Sequence, residues 1–193
     1  MSFLEASLEI VTMESAQAEV LKTKAELMQP DELELAREIS RQLYLALEPF
    51  FPAAGIAAPQ IGIGKAVFIF SWNRDPKNFE VVINPSFIPV GEEKVEEWES
   101  CFSAILKTGV RHSAKIARYE KIQVKYMNQE GVMIEKILEG FAAKVFQHEY
   151  DHLQGCVNIT RPDAEVKSFN TDAEYKTFMI EVKKQDAKRY TSS

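Results

Sequence analysis

Hydrophobic residues near the start of the chain recur at the spacing of one face of an α-helix. Residues 31–47 show this pattern most clearly, with apolar side chains at Leu33, Leu35, Ile39, Leu43, Tyr44 and Leu47. This spacing predicts an amphipathic helix, and Asp31, which follows Pro30, is its predicted N-cap. The next segment, PFFPAAG, is rich in proline and glycine and therefore ends the helix.

The middle of the chain changes to short runs of β-branched and aromatic residues. Residues 65–71 and 80–84 are bounded by glycine, proline and asparagine, and each run predicts a β-strand. Residues 115–127 alternate between apolar and polar positions and predict one further strand. The turn sequence NQEG follows, and the apolar run at 132–138 completes a predicted β-hairpin.

Two further helices are predicted in the second half of the chain. The run FAAKVFQHEYDHLQG, which follows Gly140, predicts a helix that ends at Gly155, and residues 172–188 predict the last helix. Residues 90–99 are rich in glutamate and predict a solvent-exposed loop or edge strand. Strands grouped between helices and joined by hairpins are typical of an α+β fold.

Composition and charge narrow the class of protein. The chain has 193 residues, of which 46% are hydrophobic and 27% are charged, and this composition excludes collagen-like, disordered and disulfide-rich scaffolds. The length predicts a single domain over residues 1–193, with a helical C-terminal tail at 163–193. A net charge of −6 argues against bulk electrostatic attraction to nucleic acid, so no direct nucleic-acid partner is expected.

The cysteine content and the N-terminal sequence favour a soluble, cytoplasmic protein. Cys101 and Cys156 are the only cysteines, too few for a secreted disulfide framework, although one disulfide between them is an open alternative. The N-terminal segment lacks the basic start and the long apolar run of a signal peptide. No stretch approaches the ~20 apolar residues of a membrane span.

The sharpest motif in the sequence is HEYDH, at residues 148–152. His148 and His152 are four residues apart in a predicted helix, so both imidazoles lie on one face and can bind one divalent metal ion. Glu149 follows the first histidine and is a candidate general base. The motif alone is also compatible with a polar helix face that carries two ordinary histidines.

A catalytic metal site of this kind needs a third protein ligand. A downstream acid, Asp172 or Glu174, would make the chain similar to a zinc endopeptidase. A thiolate is the other choice, from Cys101 or Cys156, and Cys156 reads most simply as a small hydrophobic residue. Spacing alone leaves these alternatives open.

Three separated segments together resemble the signature motifs of the peptide deformylases. AAGIAAPQIG at residues 53–62 resembles the first motif of that family, G-x-G-[IL]-A-A-x-Q, and ESCFS at 99–103 resembles the second, E-G-C-L-S. QHEYDH at 147–152 matches the third, Q-H-E-x-D-H. The resemblance covers roughly residues 8–160 and implies an α+β fold in which antiparallel or mixed sheets pack around a central metal-binding helix.

The resemblance implies a ligand set and a metal. Cys101, His148 and His152 correspond to the family's metal ligands. The family usually uses Fe²⁺ in the cell, and a site with one thiolate and two imidazoles also suits Zn²⁺, Ni²⁺ or Co²⁺. A metal-bound Cys101 is incompatible with a disulfide.

The resemblance also implies the reaction, which is removal of the formyl group from the N-terminal methionine of nascent peptides, with release of formate. Glu149 corresponds to the general base. The Gln60 side-chain amide and the Phe102 backbone N–H correspond to the donors that stabilise charge on the formyl oxygen. Gly55 lets the backbone approach an extended substrate, and Arg118 is a candidate partner of Asp151. The expected partners are formylated nascent chains and a local contact with the ribosome.

The sequence departs from the family pattern at several positions. Ser100 replaces the glycine before the cysteine, and Lys144, one turn before His148, replaces an aliphatic residue of the methionine pocket. Lys144 either extends its amine to solvent or pairs with Glu97. The segment between Cys101 and Arg118 is longer than usual and predicts a loop over the cleft. Altered or weakened specificity is therefore expected, and a deformylase-like peptide-binding protein without turnover is the alternative.

Overall fold

Two antiparallel β-sheets carry the fold, and a computed structural model describes the chain over residues 9–105 and 110–190. The first sheet has the order β1-β2-β3-β6-β7 and the second the order β4-β5-β8. The strands are β1 (Gly55–Ala57), β2 (Val67–Ser71), β3 (Phe79–Pro89), β4 (Lys94–Ile105), β5 (Arg111–Tyr119), β6 (Lys121–Met127), β7 (Met133–Glu139) and β8 (Glu165–Phe169). The α-helices are α1 (Leu33–Leu47), α2 (Gly140–Leu153) and α3 (Asp172–Tyr190).

The five-stranded sheet is buried on both faces at strand β2. Phe68 and Phe70 pack against Phe146 of α2, with ring centroids 5.1 and 5.7 Å apart. Val67 and Ile69 point to the opposite face and pack with the apolar residues of α1. Because successive side chains of a strand alternate between faces, a strand that is apolar throughout fits between two helices.

Helix α2 also contacts the three-stranded sheet. The Gln147 side chain accepts a hydrogen bond from the Tyr119 backbone N–H at 3.1 Å and donates to the Tyr119 carbonyl at 2.9 Å. Arg118 of β5 reaches Asp151 of α2 at 2.6 Å. The helix that carries the HEYDH motif therefore lies against both sheets, and the predicted α+β class with this helix at its centre is confirmed.

The β6–β7 hairpin and the three main helices are confirmed, but several boundaries differ. Helix α1 begins at Leu33, and its N-cap is Glu32 rather than Asp31. The Glu32 carboxylate instead accepts hydrogen bonds from the Gln29 backbone N–H and from Lys65, so it stabilises the turn before the helix.

The prediction of one strand over residues 115–127 is wrong. The chain leaves one sheet at Tyr119 and enters the other at Lys121. Between them, the Glu120 backbone N–H donates to the carbonyl of Glu93, and the Glu120 carbonyl accepts from Gly140. Buried positions alternate with less buried ones in both strands, so the crossing does not interrupt the pattern along the sequence.

The glutamate-rich segment is an edge strand from Lys94 onward, as one of the two interpretations predicted. The prediction that the whole segment is exposed to solvent is wrong, because Glu97 and Glu99 are buried. The segment at 163–193 contains β8, which pairs with β5, before the expected helix α3. Over the described ranges, no helix combines the length and apolar character that crossing a membrane requires.

Candidate active site

The structure brings Cys101, His148 and His152 together at the junction of β4 and α2. The Cys101 Sγ lies 3.3 Å from His152 Nε2, and one donor atom from each of the three residues lies within 4.8 Å of the others. A tetrahedral metal ion with ordinary bond lengths holds thiolate and imidazole donors about 3.6 Å apart. The donor set and its spacing therefore fit a divalent metal ion.

Local backbone structure explains how these ligands meet. On α2, the four-residue spacing stacks the two imidazoles one turn apart, with ring centroids separated by 5.1 Å. On β4, the register with β5 shifts between Ser100 and Ile105, so Cys101 lies at the start of an irregular stretch. Such irregularities re-aim side chains, and here the thiol is buried towards the helix. Both cysteines are free thiols, so the alternative of a disulfide is excluded.

A buried carboxylate orients the first histidine. Glu99 Oε2 accepts a hydrogen bond from His148 Nδ1 at 2.8 Å, which leaves His148 Nε2 for the metal. Carboxylate–histidine pairs of this kind fix the ring and its tautomer. His152 differs, because its Nδ1 is buried and has no hydrogen-bond partner among the described residues.

Arg118 completes this network from the second sheet. Its guanidinium makes paired hydrogen bonds to Glu99 at 2.7 and 2.9 Å and a third to Asp151 at 2.6 Å. Burial alone would raise the pKa of Glu99, but the charge of Arg118 outweighs it and holds that pKa well below its usual range. The expected Arg118–Asp151 pair is present, and Arg161 also binds Asp151 at 2.9 Å.

Glu149 points into the cleft from the same turn of α2. It is only 3% exposed, and its Oε2 makes no hydrogen bond with the described residues. Burial raises its pKa to about 7, which is the range in which a carboxylate can both accept and return a proton. Gly55 makes room for it, because a Cβ at that position would lie 2.6 Å from Glu149 Oε1.

The two predicted donors to a substrate oxygen both lie close to Cys101. The Gln60 amide accepts from the Ala57 backbone N–H at 2.9 Å, and its Nε2 donates to Ser103 Oγ at 3.2 Å and faces Cys101 Sγ at 3.7 Å. Phe102 lies in the irregular part of β4, with its ring against Phe50 at a centroid distance of 4.9 Å.

Lys144 and Glu97 form a buried ion pair beside the cleft. Lys144 Nζ lies 2.6 Å from Glu97 Oε2 and donates to the Trp98 carbonyl at 3.4 Å. Lys144 is 9% exposed, so its amine does not extend to solvent. Ser100, by contrast, is exposed at the wall of the cleft.

A single cleft of about 250 Å³ connects these side chains. Of the residues predicted from sequence, it is lined by Gly55, Gln60, Ser100, Cys101, Phe102, Lys144, His148 and Glu149, while His152 is buried behind it. A loop over the cleft was predicted between Cys101 and Arg118. Most of the described residues of this segment belong to β4 and β5, and residues 106–109 lie outside the described residues.

The other candidate ligands lie elsewhere. Asp172 begins α3 and pairs with Arg111 at 2.7 Å and with Lys176 at 2.6 Å. Cys156 is half-buried, with its Sγ 3.7 Å from Thr160 Oγ1. Among the residues described, these side chains do not join the group of three that could hold a metal ion.

Sequence reasoning missed two contributions to the cleft. Glu99 was grouped with the exposed glutamates, although its position two residues before Cys101 on a strand placed both side chains on one face. Helix α3 was the second omission. Its residues Tyr175, Met179, Val182 and Lys183 line the same cleft as Cys101 and His148.

Comparisons with known proteins agree with this geometry. The family model described as polypeptide deformylase matches residues 8–168. Peptide deformylase 2 of Rickettsia conorii is 37% identical over 164 residues, which cover 78% of each chain. Peptide deformylase of Thermotoga maritima is 38% identical over 111 residues, which cover 58% of this chain and 63% of that protein.

Solved structures agree as well. The crystal structure of peptide deformylase from Thermotoga maritima matches with a TM-score of 0.66 and 30% identity, covering 79% of this chain and 95% of that one. A Met-Ala-Ser-bound class I type b peptide deformylase from Acinetobacter baumannii matches with a TM-score of 0.69 and 27% identity, covering 81% and 99%. With the family model spanning the motifs and the fold matching, the chain belongs to the peptide deformylase family.

Proposed function

We propose that this chain hydrolyses the formyl group from the N-terminal formylmethionine of nascent peptides and releases formate. The observation that carries the proposal is the convergence of one thiol, two imidazoles and the buried Glu149 on one open cleft. The class I type b peptide deformylase from Acinetobacter baumannii is known in a Met-Ala-Ser-bound crystal structure, and this peptide, which begins with methionine, supports a peptide in the cleft.

Cys101, His148 and His152 are the proposed ligands. Members of this family are metalloenzymes, and we assign Fe²⁺ as the metal in the cell, with Zn²⁺, Ni²⁺ or Co²⁺ as substitutes in preparations. When bound, such an ion polarises a carbonyl group and lowers the pKa of water. Glu99 and Arg118 keep His148 in the orientation that this binding requires.

The remaining steps belong to side chains of this protein. Glu149 accepts a proton from the attacking water and returns it to the amine that leaves when the C–N bond breaks. The Gln60 side-chain amide and the Phe102 backbone N–H donate hydrogen bonds to the formyl oxygen as negative charge develops on it. Burial of Gln60 and Glu149 excludes bulk water from this part of the cleft.

Gly55, Ser100 and Lys144 are the proposed substrate-binding residues. Gly55 and Ser100 lie on strand segments at the cleft, where an extended peptide can add hydrogen bonds to the backbone. Lys144 places a buried charge where an apolar methionine side chain is expected, and this supports altered or weakened specificity.

Because α3 packs on the sheet that carries Cys101, the proposed catalytic domain includes α3. We also propose a cytoplasmic location and a local contact with the ribosome.

The decisive experiment measures formate release from formyl-Met-Ala-Ser. The protein is purified without oxygen, loaded with Fe²⁺ or Ni²⁺, and compared with Glu149→Gln, which keeps the size of the side chain. We expect turnover by the parent chain and a decrease of about 10²–10⁴-fold in kcat for the variant, because proton transfer by Glu149 is lost.

Measurement of the bound metal distinguishes a failure of the proposed reaction from a failure of the proposed ligand set. Glu149→Gln and Cys156→Ser are expected to bind as much metal as the parent chain, whereas Cys101→Ser is expected to lose affinity. Absence of formate release by a parent chain that carries a full equivalent of metal contradicts the proposed function. Retention of metal by Cys101→Ser contradicts the ligand set.

A further inference from the structure

Helix α3 is held against the outer face of the three-stranded sheet. The Phe178 ring packs edge-on against Trp98 of β4 and also contacts Phe169 of β8, with centroid distances of 5.1 Å in both cases. The Arg111 guanidinium lies over the Tyr175 ring, 4.9 Å from its centroid. These contacts fix α3 on the same sheet that carries the metal ligand Cys101.

One side of α3 faces the cleft described above. The cleft-lining residues recur at helical spacing and are Tyr175, Met179, Val182 and Lys183. Val182 is only 5% exposed, although its neighbours Glu181 and Lys183 are exposed. The helix therefore presents an apolar side to the cleft, and Lys183 lies where that side meets solvent.

A second depression of about 290 Å³ continues the cleft along α3. It shares Ser100, Tyr175, Met179 and Lys183 with the first cavity, and Ile180 and Lys176 also line it. A path thus leads from the metal ligands past Ser100 and along the helix. An extended peptide advances about 3.3 Å per residue, so a few residues beyond the formylated one are enough to enter this path.

Charged side chains of both signs line this path, but they lie at different depths. The carboxylates that line the cleft, Glu99 and Glu149, are both buried at the metal ligands. The charged lining residues with greater exposure are Arg74, Arg111 and Lys183. Asp172 offsets the charge of Arg111 at 2.7 Å, so the outer part of the cleft carries a small excess of positive charge, to which the exposed Lys183 contributes.

We propose that α3 binds the part of the substrate that follows the formylated residue, and that Lys183 favours peptides with acidic side chains in that part. This inference rests on the proposed function for the identity of the peptide. The apolar side of α3 supplies contact area, and the lysine supplies selectivity among chains.

The test compares Lys183→Glu with Lys184→Glu in the full, metal-loaded chain. Both lysines are exposed neighbours on α3, and both replacements change the net charge equally, but Lys184 does not line either cavity. The substrates are formyl-Met-Ala, which is too short to follow the helix, and two longer formyl-Met peptides that end in either two aspartates or two lysines.

We expect Lys183→Glu to lower kcat/KM for the acidic peptide by about fivefold, because exposed ion pairs contribute up to ~1 kcal/mol each. The same variant should improve turnover of the basic peptide, and its effect on formyl-Met-Ala should be smaller than its effect on either longer peptide. Lys184→Glu should change the ratio of acidic to basic turnover by less than about twofold. Equal effects of the two variants, or equal effects on short and long peptides, overturn the inference.

A binding measurement keeps this test separate from the proposed function. If the parent chain hydrolyses none of the peptides, the proposed function fails. Fluorescence polarisation with labelled, formyl-free peptides of the same sequences then tests α3 directly. Weaker binding of the acidic peptide by Lys183→Glu than by Lys184→Glu supports the inference, and indistinguishable affinities overturn it.

Discussion

Strand β5 carries an arginine near each end, and the two make similar ion pairs in very different surroundings. The Arg118 side chain is 5% exposed and binds Glu99 at 2.7 Å, whereas the Arg111 side chain is 33% exposed and binds Asp172 at 2.7 Å. Arg118 fixes a carboxylate that orients His148, and Arg111 attaches the start of α3. The same chemistry therefore supports the inner end of the cleft in one case and its outer wall in the other.

Burial determines how much each ion pair contributes to the stability of the fold. An exposed ion pair contributes roughly 0–1 kcal/mol, because water competes for both charges. A buried pair contributes little over an apolar substitute, but removal of one partner leaves an uncompensated charge that costs about 3–5 kcal/mol. The inner end of the cleft is therefore sensitive to single changes that the outer end tolerates.

The largest effect is predicted for a variant that breaks the ion pair between Arg118 and Glu99. Arg118→Ala is expected to lower the free energy of unfolding by about 3–5 kcal/mol, because Glu99 would keep its buried charge without its main partner. Arg111→Ala is the matched control on the same strand and should cost no more than about 1 kcal/mol. Urea denaturation of both variants at equal metal loading measures the difference, and equal destabilisation would remove the distinction between the two ends.

The second prediction concerns space rather than charge at the inner end. Gly55→Ala places a methyl group 2.6 Å from the Glu149 carboxylate, so the side chain must move. We expect kcat to decrease by about a hundredfold, since displacements of about 1 Å have effects of this size. Gly64→Ala is the control, because the nearest atom to its Cβ is a Val20 methyl at 3.9 Å. If Gly55→Ala keeps parental kcat, Glu149 is not held by this contact.

The smallest predicted effect on turnover concerns Lys144, which is buried like Arg118 but lines the cleft like Arg111. Lys144→Ile should increase the preference for formyl-Met over formyl-Ala peptides by about tenfold, because it returns an apolar wall to the pocket. Lys121→Ile is the control, since Lys121 also forms an ion pair, with Glu139 at 2.6 Å, outside the cleft. An unchanged ratio of kcat/KM values would place Lys144 outside the methionine pocket.

The sequence predicted the local parts of the site best. His148 and His152 share a helix face through their spacing alone, so their proximity needed no knowledge of the rest of the fold. Cys101 is different, because its distance from α2 in the sequence makes its approach a property of the sheet packing. Only the resemblance of the ESCFS segment to a known motif placed it with the histidines.

Each missed feature has a physical cause that the local sequence pattern does not show. Glu97 and Glu99 looked like part of a solvated acidic run, because their partners Lys144 and Arg118 come from other elements. Strand β8 was missed because four of its five residues are exposed, so it has no apolar alternation to detect. The break at Glu120 was invisible for the opposite reason, since apolar alternation continues on both sides of it.

The junction between β7 and α2 has a consequence for the order of folding. β7 ends at Glu139 and α2 begins at Gly140, so the hairpin and the helix with both histidines form one continuous segment without a connecting loop. Contacts within such a segment are close in sequence and form quickly, whereas the approach of Cys101 requires a larger loop to close. Two imidazoles are thus expected to be in place before the thiol arrives, which makes docking of β4 the late step that completes the proposed metal site.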